Sequence, residues 1–131
     1  MASLTYLDTY TALCLYTGNI AVLSPRAKTA IDADDDLLIS PMVTLELQYL
    51  RERKRALRGA WRDVVVALGI EWGVHVRQYS FAVVATMAAD KIRWTGDPFD
   101  RVIVAHAMAN GGSPLVTRDR EIRKHYPSAV W

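Results

Sequence analysis

Five short runs rich in β-forming residues, SLTYLD, DLLIS, IEWGVHV, PLVT and SAVW, recur along this chain, each divided from the next by segments with helical spacing. This alternation is the strongest constraint on the fold. Strands separated by helices cannot pair through tight hairpins, and parallel neighbours need such a crossover. The chain is therefore expected to be an α/β protein with a mostly parallel sheet covered by helices on both faces. Its 131 residues, 51% of them hydrophobic, suffice for one compact core. No internal repeat, low-complexity stretch or linker divides it, so residues 1–131 read as a single domain.

The helical segments carry their own punctuation. TYTALCLYTG stops at Gly18, while SPRAKTAIDA opens with Ser24 as N-cap and Pro25 at the first helical position. PMVTLELQYLRERKRA starts at Pro41 and repeats Val43, Leu47 and Leu50 at helical spacing. A further helix around AWRDVVVALG is expected to end at Gly69, and Ser80 to cap FAVVATMAADKI. A helix from Pro98 to Asn110 is closed by GGS, and DREIRKHY forms a short one. IEWGVHV, with its apolar and polar alternation, is predicted to be the third strand.

Charge and cysteine content narrow the class. Sixteen basic and fourteen acidic residues leave a net charge of only +2, so a nucleic-acid partner would have to be met by local clustering. The single Cys14 rules out an internal disulfide and reads as a buried thiol suited to a reducing compartment. No Lys or Arg precedes Arg26, Asp8 interrupts the first apolar run, and no stretch has the roughly 18 apolar residues of a membrane span. A soluble cytoplasmic protein is expected.

The acids are placed unusually. Asp8 ends the first strand, Glu46 lies in the helix after the second, Asp100 in the first turn of its helix, and Asp119 just after PLVT. In an open parallel sheet these positions share the carboxyl edge, where ligand crevices form. Carboxylates gathered there repel one another unless protons or cations neutralise them, and Mg²⁺ or Mn²⁺ prefers such oxygen donors. The arrangement suits metal-assisted phosphodiester cleavage. Capping is the competing account: Asp97 before Pro98 reads as an N-cap, with Asp100 three residues on completing an acidic capping box at the positive end of the helix dipole. Spacing alone leaves both open.

LDTYTALCLYTG, LSPRAKTAI, LISPMVTLELQYL, DPFDRVIVAHA, PLVTRDREI and the terminal AVW together resemble the PIN-domain ribonucleases, and among them the VapC-type toxins of toxin–antitoxin pairs. DPFDR before a helix and LVTRD at this distance are the specific parts. The resemblance covers nearly the whole chain and is only an outline between Ile70 and Ile92. It implies a three-layer α/β/α sandwich, with Asp8, Glu46, Asp100 and Asp119 as metal-binding catalytic acids. It further implies Mg²⁺- or Mn²⁺-dependent endonucleolytic cleavage of RNA, homodimer formation, and inhibition by a cognate antitoxin that occludes the site. Thr9 and Thr117 resemble hydroxyl residues beside the first and last acids, and Asp97 an accompanying aspartate with capping as its main role. Gly96 departs from the pattern, since many relatives carry a basic residue there.

Other features have plainer readings beside their functional ones. RERKRALRGAWR places six basic residues and one acid between Arg51 and Arg62. Arg51, Arg53, Lys54 and Arg55 are candidates for RNA phosphate contact, as are Arg118 and Arg120 beside Asp119; a solvated face or an antitoxin surface is the alternative. His75, His106 and His125 lack partners at metal-site spacing and read as structural or surface residues. Trp61, Trp72, Trp94 and Trp131 read as core or interface anchors rather than base-stacking platforms. No glycine-rich phosphate loop is present. An aspartyl-phosphate chemistry at Asp8 would want a second aspartate where Tyr10 stands. The second functional reading, from another class, is a non-catalytic PIN-fold module that binds RNA or a protein partner.

Overall fold

The computed structural model describes residues 4–33, 36–54 and 59–131. Five strands form one sheet: β1 (Leu4–Leu7), β2 (Asp36–Ile39), β3 (His75–Val76), β4 (Leu115–Val116) and β5 (Ala129–Val130). Seven α-helices are described alongside them: α1 (Thr9–Thr17), α2 (Pro25–Asp32), α3 (Pro41–Lys54), α4 (Trp61–Trp72), α5 (Phe81–Lys91), α6 (Pro98–Ala109) and α7 (Arg120–His125). The strand order is β3-β2-β1-β4-β5, with every described pairing parallel. The α/β class and the sandwich expected from the sequence are therefore observed.

Burial shows why there are three layers. Successive strand residues point to opposite faces of a sheet, yet Tyr6 and Leu7 are both fully buried, as are Leu115 and Val116. Both faces of the central strands must be covered. α5 packs on α6, α6 on α3, α3 on α4 and α4 on α1, while α2 lies against β4 and β5. Val43 and Leu47 turn one stripe of α3 into the core, Cys14 is buried in α1, and Leu50 is only half-buried.

The order of the strands sets the position of the site. From β1 the chain moves outward through β2 to β3, then returns to the other side of β1 for β4 and β5. The direction reverses between β1 and β4, which is where open α/β sheets form crevices at their carboxyl ends.

Three local expectations are corrected. α4 does not end at Gly69 but continues to Trp72. The reason lies in Gly73, which takes the left-handed φ of 67° and turns its N–H back to the carbonyls of Gly69 and Leu68, whereas Gly69 keeps helical backbone. The third strand is consequently only His75–Val76, because Ile70, Glu71 and Trp72 belong to the helix. Ser80 occupies the N-cap position of α5, but its hydroxyl makes no capping hydrogen bond.

Candidate active site

Asp8 is the first residue after β1 and the N-cap of α1, with extended backbone and a carboxylate that is 7% exposed. One oxygen, Oδ1, accepts from the Thr11 N–H at 2.9 Å, and Oδ2 accepts from the Thr117 hydroxyl at 2.5 Å. Thr117, fully buried just past β4, also accepts the backbone N–H of Asp119 at 3.1 Å. A single hydroxyl thus ties the acid after β1 to the acid after β4. Thr11 adds a second link across the same boundary, donating to the Val116 carbonyl at 2.9 Å.

The remaining acids arrive on helix starts and faces. Asp119 caps α7 by accepting from the Ile122 N–H at 2.9 Å. Glu46 projects from α3 and accepts from the Thr9 hydroxyl at 2.5 Å through Oε1. Asp97 caps α6, accepting from the N–H groups of Phe99 at 2.8 Å and Asp100 at 3.3 Å, with Pro98 following it. Asp100 lies in that first turn and, among the described residues, its carboxylate accepts no hydrogen bond. Asp8, Glu46, Asp97, Asp100 and Asp119 line one pocket of about 650 Å³, with Thr9 between Asp8 and Glu46.

The sequence matches the PIN domain family over residues 6–126, a span that contains all of these acids. The chain belongs to the PIN-domain family. It is 34% identical over 114 residues to Ribonuclease VapC22 of Mycobacterium tuberculosis (strain ATCC 25618 / H37Rv), covering 83% of this chain and 85% of that protein. The fold is similar to VapBC2 from Rickettsia felis bound to a DNA fragment from their promoter, with a TM-score of 0.57, 18% identity and coverage of 93% and 92% of the two chains. It is likewise similar to DNA-bound VapBC from Salmonella typhimurium, with a TM-score of 0.55, 19% identity and coverage of 98% and 96%.

The electrostatics of this PIN domain follow from crowding acids in a half-closed pocket. Burial pushes the Asp8 and Glu46 carboxyls above their usual range, opposed by the hydroxyls of Thr117 and Thr9 respectively. Asp100 is pushed up to about 7, first by burial and then by the charges of Asp97, Asp119, Glu46 and Asp8. A carboxyl raised by its neighbours' charge is one that a cation would relieve. The donor set is oxygen only, with no Cys or His in the pocket wall, which fits a hard ion rather than a soft one. Among the described residues no group of three or more Asp, Glu, His or Cys side chains is gathered closely enough to hold a metal ion between them. An ion there would be bound directly by one or two of these carboxylates at most, with waters and substrate phosphate completing its shell.

Around the acids the PIN domain carries a basic wall. Arg118, Arg120 and Arg123 line the pocket, and Tyr10 and Trp131 lie beside them. Arg120 and Arg118 flank the last acid in sequence and Trp131 belongs to the AVW that carries the resemblance, where it reads as a core or interface anchor, but Arg123 and Tyr10 gave no signal for this wall. Arg51 and Arg53 are exposed on α3 and do not line this pocket. Arg53 lies over the Tyr49 ring at 5.4 Å. Arg55 lies outside the described residues, as does the side chain of Lys54.

The histidines serve elsewhere. His106 is buried, its Nδ1 2.8 Å from the Ser40 hydroxyl, and burial lowers its pKa. His125 stacks on Trp94 at 4.9 Å, and His75 is exposed on β3.

Proposed function

We propose that this PIN domain is a divalent-metal-dependent endoribonuclease acting as the toxin of a toxin–antitoxin pair in the cytoplasm. The observation that carries the reading is the lining of one pocket, at the switch point of the sheet, by Asp8, Glu46, Asp100 and Asp119. The 34% identity to a ribonuclease supports it.

Asp8, Glu46, Asp100 and Asp119 would hold the ion, one or two of them directly. When bound, Mg²⁺ or Mn²⁺ supplies acidification of a water and neutralisation of charge on the transferring phosphate. The chain's own residues prepare that event. Thr117 and Thr9 fix the carboxylates of Asp8 and Glu46 in one rotamer each, so their orientation is set before substrate arrives. Arg118, Arg120 and Arg123 offer donors to RNA phosphates at the rim. In the cleavage, water adds to phosphorus, the ester P–O bond breaks and the departing oxygen gains a proton.

A cognate antitoxin is the proposed protein partner, since the two fold neighbours named above are VapBC assemblies. A homodimer is supported by an apolar groove of about 300 Å³ between α3 and α5, flanked by Leu45 and Phe81 at 55% and 70% exposure. No helix among the described residues is long and apolar enough to cross a membrane.

RNA cleavage in Mn²⁺ tests the function. Wild type is expected to cut and to stop in EDTA, with Asp8→Asn inactive but folded. Cleavage indifferent to both chelation and substitution would remove this mechanism and leave the non-catalytic binding module.

A further inference from the structure

Next to the acids, one wall of the pocket is aromatic and cationic at once. The Arg118 guanidinium carbon lies 3.8 Å from the centroid of the Tyr10 ring, within stacking distance of its face. Trp131 continues the wall, its ring 6.4 Å from that of Tyr10 and tilted by 56°. All three side chains line the pocket that holds Asp8, Glu46, Asp100 and Asp119.

Two features argue against a purely structural cluster. Arg118 is exposed and adjacent to Asp119, yet among the described residues it forms no ion pair. Its guanidinium rests on an aromatic face instead of pairing with the acids, and the side chain stays exposed. Tyr10 and Trp131 are only half-buried, leaving ring surface available where a bulkier core would have covered it. Tyr10 also follows Asp8 by two residues and Arg118 immediately precedes Asp119, so the stack is tied by short backbone to two of the acids.

We infer that Tyr10, Arg118 and Trp131 form a stacking subsite for one unpaired nucleobase of the RNA strand, next to the phosphodiester held at the acids. The inference rests on the ribonuclease reading and adds the part of the substrate that this wall takes. Unpaired bases are recognised by stacking on aromatic rings and arginine planes, and every base has a face to offer, so the subsite selects single-stranded RNA before it selects sequence.

The test begins with random-sequence RNA cleaved in Mn²⁺, the cut site being read by sequencing. An oligonucleotide built on that site is then compared with copies carrying one abasic residue at each position flanking the cut. For wild type, one abasic position is expected to raise KM about 5- to 150-fold, the range of one stacked base, with kcat little changed. Trp131→Ala and Tyr10→Ala should raise KM on the intact oligonucleotide by a similar factor and lose the abasic penalty, while Trp131→Phe and Tyr10→Phe restore both. Thermal melting with and without Mn²⁺ establishes that each variant is folded and still takes the ion. Active wild type indifferent to every abasic substitution, or alanine variants with unchanged KM, would overturn the subsite and leave the ribonuclease intact. Wild type that cuts no RNA in Mn²⁺ overturns both.

Discussion

Thr117 and Asp8 are 109 residues apart in the chain and share a hydrogen bond in the fold. The bond spans the point where strand order reverses. Because the same hydroxyl accepts the Asp119 backbone N–H, both its donor and an acceptor position are used: the Asp8 carboxylate cannot turn without breaking the first bond, and the backbone at Asp119 is held by the second.

Thr117→Val keeps the shape and removes the hydroxyl. It leaves a buried carboxylate oxygen and a backbone N–H without their partner, which costs about 1–3 kcal/mol. Urea unfolding should register that loss, and RNA cleavage should fall at least about tenfold because Asp8 is no longer held. Thr117→Ser, which retains the donor, should recover most of both.

Asp100 ties stability to pH in the metal-free protein. Its folded carboxyl is raised from 3.8 to about 7, so the native state holds the proton more tightly than the unfolded chain. The stabilisation is complete below about pH 4 and is lost as pH rises to 7. In EDTA, wild type should therefore lose stability relative to Asp100→Asn across that window. Mn²⁺ should return it above pH 7, by about 2.7 kcal/mol at a hundredfold excess over Kd, and add little at pH 5. An Asp100→Asn protein whose stability relative to wild type is flat from pH 4 to 8 would contradict the crowding argument.

Asp97 separates capping from charge. Asp97→Ala loses the acceptor for the Phe99 N–H and should cost about 1 kcal/mol. Asp97→Ser keeps a cap while removing a negative neighbour that raises Asp100. Carboxyl NMR titration should find Asp100 titrating lower in both variants, with stability preserved only in the serine form.

Salt dependence distinguishes the two basic regions. Replacing Arg118, Arg120 and Arg123 with Ala in the inactive Asp8→Asn background should lower the slope of log K against log salt by about 0.7 for each phosphate of single-stranded RNA that is no longer neutralised. Arg51→Ala with Arg53→Ala, away from the pocket wall, should change the slope less. Filter binding over a salt series measures both.

The sequence is most readable where local chemistry and tertiary position agree. Ser24 with Pro25 and Asp97 with Pro98 start helices in the structure as their pattern predicts, and the apolar strand runs of β1, β2 and β4 form the centre of the sheet. It misleads where two signals of the same kind compete. Gly69 reads as the helix stop, but the left-handed backbone that ends α4 is at Gly73, four residues on. IEWGVHV alternates too briefly to distinguish a strand from the last turn of a helix. Asp8, Asp97, Asp100 and Asp119 were visible because each sits beside a strand end or helix start, and Glu46 because it lies on the helix that follows β2. The places of Arg123 and Trp131 in the wall were not, since they follow from how α7 and the chain's end fold back over the sheet.

The placement of β4 beside β1 governs when this pocket can come into being. Asp8, Glu46 and Asp100 precede β4 in the chain, whereas Thr117 and Asp119 follow it and meet Asp8 only when β4 pairs with β1. A state in which β4 has not docked therefore lacks Asp119 and the hydroxyl that orients Asp8, although it already has Asp8, Glu46, Asp100 and Thr9. The fourth acid and the fixed orientation of Asp8 thus arise together, in the single step that docks β4 on β1.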